Sequence, residues 1–203
     1  MNSNAKFLFM SVYPEKIAYL SRSPANAGKC PQENASGTGV NFECGCFVRF
    51  SIAIDDNSQT INEAKFSSNG CGYMIAAASV YGEFLGNKAL ADLHGLASNE
   101  FSAIVESQLG EIPDARTSCL ESVREAAQKA FAEYRLQRIE EFTGEKALIC
   151  TCFSVSEETI EEFINANQPV TVEDVVDSCR AGSGCGSCRF LIREMVDAAV
   201  RVS

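Results

Sequence analysis

Histidine is almost missing from this chain of 203 residues: His94 is the only one. That shortage turns any metal chemistry toward thiolate ligands. Long apolar runs are missing too. None approaches the ~20 residues of a membrane span, and the N-terminal "KFLFM" is too short for a signal-peptide core and has no small-residue cleavage site after it. A basic stripe is also absent. The net charge is −10, which argues against nucleic acid, because affinity for phosphates comes largely from Lys and Arg. The excess acid is spread evenly, with 5 basic and 10 acidic side chains over residues 144–203 and 12 and 17 before them. It reads first as solubility and second as a docking surface for a basic partner. No internal repeat or low-complexity run is present. An apolar content of 46 % with 22 % charged residues marks a folded chain of one or two domains, and a cytoplasmic, membrane-free location is expected.

Cysteine, by contrast, is plentiful, with ten residues. In a reducing compartment such thiols are ligands or catalysts more often than disulfides, and soft thiolates favour zinc, copper(I) or iron–sulfur clusters.

The pattern of residues predicts a short helix in "YPEKIAYLSRSP", with Ile17, Leu20 and Tyr13 on one face and a stop at Pro24. The polar, turn-rich "NAGKCPQENASGTG" reads as a loop. "FVRFSIAID" and "INEAKFSSNG" read as a hairpin around "DDNSQ". Helices follow from Gly72 to Gly86, from an N-cap at Ser98 to Gly110, and from about Arg116 to Glu141, the last with Leu120, Val123, Ala127, Ala130, Phe131 and Tyr134 at helical spacing. "FTGEKA" breaks the pattern and sets a boundary between domains 1–142 and 143–203. In the tail, Ser156 caps a helix with Ile160, Phe163 and Ile164 on its apolar face, Thr171 and Asp174 form a capping pattern, and a third helix buries Leu191, Met195 and Val196.

Three short helices in sixty residues bury little core, so the tail needs a staple. Cys150 and Cys152 (C-x-C) and Cys185 and Cys188 (C-x-x-C) supply two ligand pairs, and the glycines of "GSGCGSC" let backbone N–H groups turn toward sulfur. A tetrahedral four-cysteine zinc site is the alternative that spacing leaves open.

"ALICTCFSVSEETIEEFI…TVEDVVDSCRAGSGCGSC" resembles the [2Fe–2S] domain of the NifU scaffold family, a domain also found as bacterioferritin-associated ferredoxin. The resemblance implies a permanent, redox-active [2Fe–2S] cluster on Cys150, Cys152, Cys185 and Cys188. Cys179 falls outside the motif and reads as a small buried residue.

Upstream, Cys44 and Cys46 precede a strand, Cys71 stands where a hairpin meets a helix, and Cys119 begins the long helix. Spacing alone would leave these as scattered core cysteines. Residues 12–135, however, resemble the IscU-type scaffold domain, through "YPEKIAYLSRSPANAG", a C-G-x element, G-C-G before a small-residue helix, and a cysteine leading the last helix. The resemblance implies an α+β fold, a small antiparallel sheet covered by helices, followed by a small all-α [2Fe–2S] domain. It also implies a labile cluster on Cys44, Cys71 and Cys119, built from iron and from sulfur that a cysteine desulfurase delivers as persulfide, then passed to apoproteins. Such a chain is a carrier and not an enzyme. It leaves a homodimer open, and recipients in nitrogen fixation and in housekeeping alike.

Four departures stand out. The family's Asp is here Cys46, and its His before the third cysteine is Ser118. Its L-P-P-V-K segment reads "IPDAR", and its third, C-terminal domain is expected to be absent. Cys46 predicts an all-cysteine site that holds its cluster more firmly; alternatively it points away or only accepts sulfur. Four thiolates keep a second reading in view, a two-cluster electron-transfer protein derived from a scaffold. Arg116 matches a basic position that could neutralise a cluster or persulfide, against a plain surface cation. His94 reads as a helix-terminal cation, and Cys30 as an exposed thiol without function.

Overall fold

The computed structural model describes residues 12–93, 98–141, 147–167 and 170–202. The expectations for "KFLFM", His94, the Ser98 cap side chain and most of the 142–147 boundary segment lie outside the described residues.

The upstream part is built on a three-stranded antiparallel sheet in the order β1 (Ala35–Asn41), β2 (Cys46–Asp55), β3 (Thr60–Ser68). β2 is the central strand, and Val48, Phe50, Ile52 and Ile54 are buried along it. A register shift at Ala53/Ile54 interrupts the pairing with β3, which resumes with Ile54 opposite Ile61 and Asp55 opposite Thr60. The helix α1 (Glu15–Arg22) buries Ile17 and Ala18, with Leu20 and Tyr13 only partly covered. α2 (Gly72–Leu85) is nearly all apolar or small, and eleven of its residues are buried. It packs against α1, β3, α3 (Ser98–Leu109) and α4 (Thr117–Glu141).

The largest packing surface joins α4 to β1. The sequence pattern predicts a loop over residues 26–39. The structure makes Ala35–Asn41 an edge strand whose Ala35 pairs with Ile52 and Asn41 with Cys46. The glycines that suggested a loop are what let the strand lie on the helix. A Cβ at Gly37 would strike the Ala126 carbonyl and the Ala130 amide, and one at Gly39 the Ser122 carbonyl. Backbone therefore meets backbone, and Ala126, Ala127 and Ala130 on the facing helix are fully or almost fully buried.

The tail has the three expected helices, α5 (Glu157–Asn167), α6 (Val172–Cys179) and α7 (Arg189–Val202), plus a short ribbon of β4 (Leu148–Cys150) and β5 (Val155–Ser156). Ser156 Oγ accepts from the Thr159 amide at 3.3 Å. Thr171 and Asp174 form the reciprocal capping box. One expectation is corrected in α7. Leu191 is 45 % exposed, and the fully buried residue is its neighbour Ile192, with Val196 one turn on and Met195 partly covered. A shift of one residue turns a helix by about 100°, enough to exchange the face toward the core for one beside it.

Candidate iron–sulfur sites

In the upstream part, four cysteines arrive from three places in the fold. Cys44 sits exposed in the four-residue turn between β1 and β2, and Cys46 is the first residue of β2. Gly45 between them has φ +69°, and its amide donates to the Asn41 carbonyl at 2.8 Å. Cys71 is the N-cap of α2. Its approach is fixed to the start of β2, where Phe47 N–H donates to Asn69 Oδ1 at 2.8 Å and Ser68 Oγ donates to the Phe47 carbonyl at 2.6 Å. Cys119 lies in the first turn of α4 and is only 3 % exposed.

Two of these thiols meet across the fold. Cys71 Sγ and Cys119 Sγ are 3.6 Å apart. Cys46 Sγ lies 3.9 Å from the Cys44 carbonyl, and its pKa is raised first by contact with the Cys44 thiol. Burial, then contact with Cys71, pushes Cys119 up to about 11, and Arg116 opposes that shift. Arg116 also lies over the Tyr73 ring, 5.7 Å from its centroid. Its cation therefore stands beside the cysteine pocket, anchored on an aromatic face.

Two residues of this site escaped the sequence reading. Asn41 is a buried polar group, 5 % exposed. Its Oδ1 accepts from the Glu43 amide at 3.0 Å, and its Nδ2 donates to Ser118 Oγ at 3.1 Å and toward Cys119 Sγ at 3.7 Å. Glu43 accepts from Ser118 Oγ at 3.1 Å. One Asn thus ties the Cys44 turn to the Cys119 helix. The only signal was an Asn opening a turn, which is the usual Asx pattern. Ser118, standing where the related family has His, is part of this tie.

In the tail, Cys150 ends β4, Cys152 lies in the ribbon's turn, Cys185 is in the glycine-rich loop after α6, and Cys188 immediately precedes α7. All four are buried, between 2 % and 7 % exposed. They line a cavity of about 180 Å³ with Ile149, Gly182, Gly184 and Leu191. The Cys185 amide points at Cys152 Sγ at 3.5 Å. Contact with the Cys152 thiol, then with Cys188, holds Cys150 well below the ordinary thiol range, helped by the Gly182 and Phe153 backbone. Cys152 is pushed up by the same contact, and Cys188 by its contact with Cys150. Cys185 falls to about 5 through its contact with Cys152.

The donor set suits a two-iron cluster, with four soft thiolates, a backbone donor and a close-fitting wall. A Cβ at Gly184 would come within 3.0 Å of Cys152 Sγ, so only glycine leaves the cradle open. Among the described residues no three His, Cys, Asp or Glu side chains gather around a single metal ion. The remaining cysteines stand apart from both sites. Cys179 donates to the Val175 carbonyl at 3.2 Å and is half-buried. Cys30 is corrected: it is buried at 6 %, not exposed, and burial and the Glu63 carboxyl push its pKa up to about 11.

Two family models match the chain. Residues 12–141 match the NifU-like N terminal domain, and the chain belongs to that family. Residues 148–198 match the BFD-like [2Fe-2S] binding domain. The nitrogen fixation protein NifU of Azotobacter chroococcum is 31 % identical over 176 residues, which are 87 % of this chain and 56 % of that protein. NifU of Nostoc sp. is 28 % identical over 193 residues, 91 % of this chain and 63 % of its own length. The iron-sulfur cluster assembly scaffold protein IscU of Haemophilus influenzae is 30 % identical over 132 residues, 62 % of this chain and 98 % of that one. The chain thus spans less than two thirds of the NifU relatives it matches.

Proposed function

We propose that this chain is an iron–sulfur cluster assembly scaffold in two parts, residues 1–142 and 143–203. In the first, Cys44, Cys46, Cys71 and Cys119 collect iron and desulfurase-derived sulfur as a [2Fe–2S] cargo, with Arg116 balancing its negative charge, and pass it to apoproteins. In the second, Cys150, Cys152, Cys185 and Cys188 hold a resident [2Fe–2S] cluster. That cluster, when bound, supplies one-electron chemistry. The chain is a carrier with no turnover of its own.

The observation that carries this reading is the contrast in cover. The tail thiols are all buried, whereas upstream Cys44 is exposed and Cys46 and Cys71 are half-buried. A cluster behind a closed wall is kept, and a cluster at an open mouth can enter and leave. Cys46 favours a second reading, since a fourth thiolate in place of an oxygen ligand binds iron more firmly and would suit a two-cluster electron-transfer protein.

Anaerobic reconstitution with a cysteine desulfurase decides between them. The scaffold reading expects wild type to donate its upstream cluster to an apo-ferredoxin, Cys46→Asp to donate faster, and Cys152→Ser to lose only the tail cluster. Two clusters that both resist a chelator, with no delivery, would establish the electron-transfer reading instead.

A further inference from the structure

Cys44 and Cys46 differ from the other upstream thiols in being separated by a single residue, Gly45. Cys44 is the exposed one of the four, in the turn between β1 and β2, with Cys46 and Cys71 half-buried. Cys119 is closed off, at 3 % exposure. Gly45, in the left-handed region, folds the chain back on itself. Cys46 Sγ is then 3.9 Å from the Cys44 carbonyl, on the same turn and separated from Cys44 by Gly45 alone. The turn is held by the Gly45 amide on the Asn41 carbonyl and by the Asn41 side chain on Glu43.

Sulfur delivered as persulfide is at the oxidation level of sulfane sulfur, whereas a cluster contains sulfide. Two electrons must come from somewhere. We propose that Cys46 is a resolving thiol that releases inorganic sulfide from a persulfide carried on Cys44. The step rests on the scaffold reading above. The Cys46 thiolate attacks Cys44 Sγ, so a Cys46 Sγ–Cys44 Sγ bond forms and the bond from Cys44 Sγ to the outer sulfur breaks. The outer sulfur leaves as hydrosulfide with the electron pair. It is reduced by two electrons, and the two cysteines are oxidised to one disulfide.

Thiol–disulfide exchange runs faster the lower the pKa of the leaving group, and hydrosulfide is a better leaving group than an alkyl thiolate. A dithiol or low-molecular-weight thiol reductant then supplies two electrons and two protons to reset the pair. Both sulfurs are afterwards free to hold iron, so the same side chain acts first as reductant and then as ligand. An aspartate at this position could serve only as the second.

The test uses the full chain, iron-free, reduced and then stripped of all small thiols, mixed anaerobically with a cysteine desulfurase carrying one persulfide. Released sulfide is counted, and the cysteine peptides are mapped by mass. Wild type is expected to release one sulfide per persulfide received and to show a Cys44–Cys46 disulfide. Cys46→Ser and Cys46→Asp are expected to keep the persulfide on Cys44 and to release at least about tenfold less sulfide. Cys46→Asp is further expected to bind iron when sulfide is supplied directly, which separates resolution from ligation. Equal sulfide release by the variants, or a wild-type disulfide that leaves out Cys46, overturns the proposal. The wild-type map is decisive even if a variant folds poorly. Sulfur reaching none of the forms would contradict the scaffold reading itself, and the resolving step with it.

Discussion

Gly184 is where one methyl group decides whether the tail cradle can form. A side chain there would press on Cys152, with its Cβ 2.8 Å from the cysteine's Cβ and 3.0 Å from Sγ. Both neighbours sit in a packed wall that cannot give cheaply. Gly184→Ala is therefore expected to cut the iron bound after reconstitution by about half, with the tail site lost and the upstream site kept; iron analysis on the intact chain checks this.

Cys30 offers a pH test away from either site. Its ordinary pKa of 9.0 rises to about 11 because burial and the Glu63 carboxyl disfavour the thiolate. The folded state thus holds a proton that the unfolded chain loses first. Its contribution is complete below pH 9.0 and disappears as the pH climbs through about 11. Urea unfolding across that window should show a decline of up to about 2–3 kcal/mol that Cys30→Ala lacks. At this scale the sequence made the ligand spacing of the tail legible, since C-x-C and C-x-x-C are local. It concealed the burial of Cys30, because a cysteine between lysine and proline looks like a loop thiol, and the loop is covered by β3.

Among the elements, β1 and α4 carry most of the upstream architecture, and both lead directly into a cysteine. β1 ends at Asn41, three residues before Cys44, and α4 starts two residues before Cys119. Their close contact at Gly37 and Gly39 thus sets the spacing between those thiols. Gly39→Ala is expected to lower stability by about 1–3 kcal/mol and to weaken upstream iron binding, leaving the tail spectrum intact. Thermal unfolding and site-resolved iron counting measure the two effects.

In the tail, Thr171→Ala removes one side of the capping box and should cost about 1 kcal/mol, read as a lower midpoint of denaturation. The capped helices and the β2–β3 hairpin were legible because caps, turns and periodicity are local signals. β1 was not. "ASGTGVN" has the composition of a loop, and it is a strand only because β2 offers an edge and α4 needs a surface without side chains. The Leu191/Ile192 exchange has a similar cause: several apolar residues in α7 are compatible with more than one face, and only packing on α5 and α6 chooses.

At the scale of the whole molecule, two thiol sites of like composition differ in cover. No helix among the described residues is long and apolar enough to cross a membrane. The approach of Cys71 to Cys119 could not be read from spacing, because it depends on a helix N-terminus and the first turn of a second helix meeting at 3.6 Å. Only the resemblance pointed to those two together with Cys44. The most direct measurement is a count of iron and sulfide per chain after anaerobic reconstitution, repeated after brief exposure to a chelator, with the visible spectrum recorded each time. The predicted result is about four irons and four sulfides at first, falling by about half as the open site empties while the buried one keeps its absorbance. A chain that takes up no colour, or that surrenders both sites at the same rate, would contradict the account.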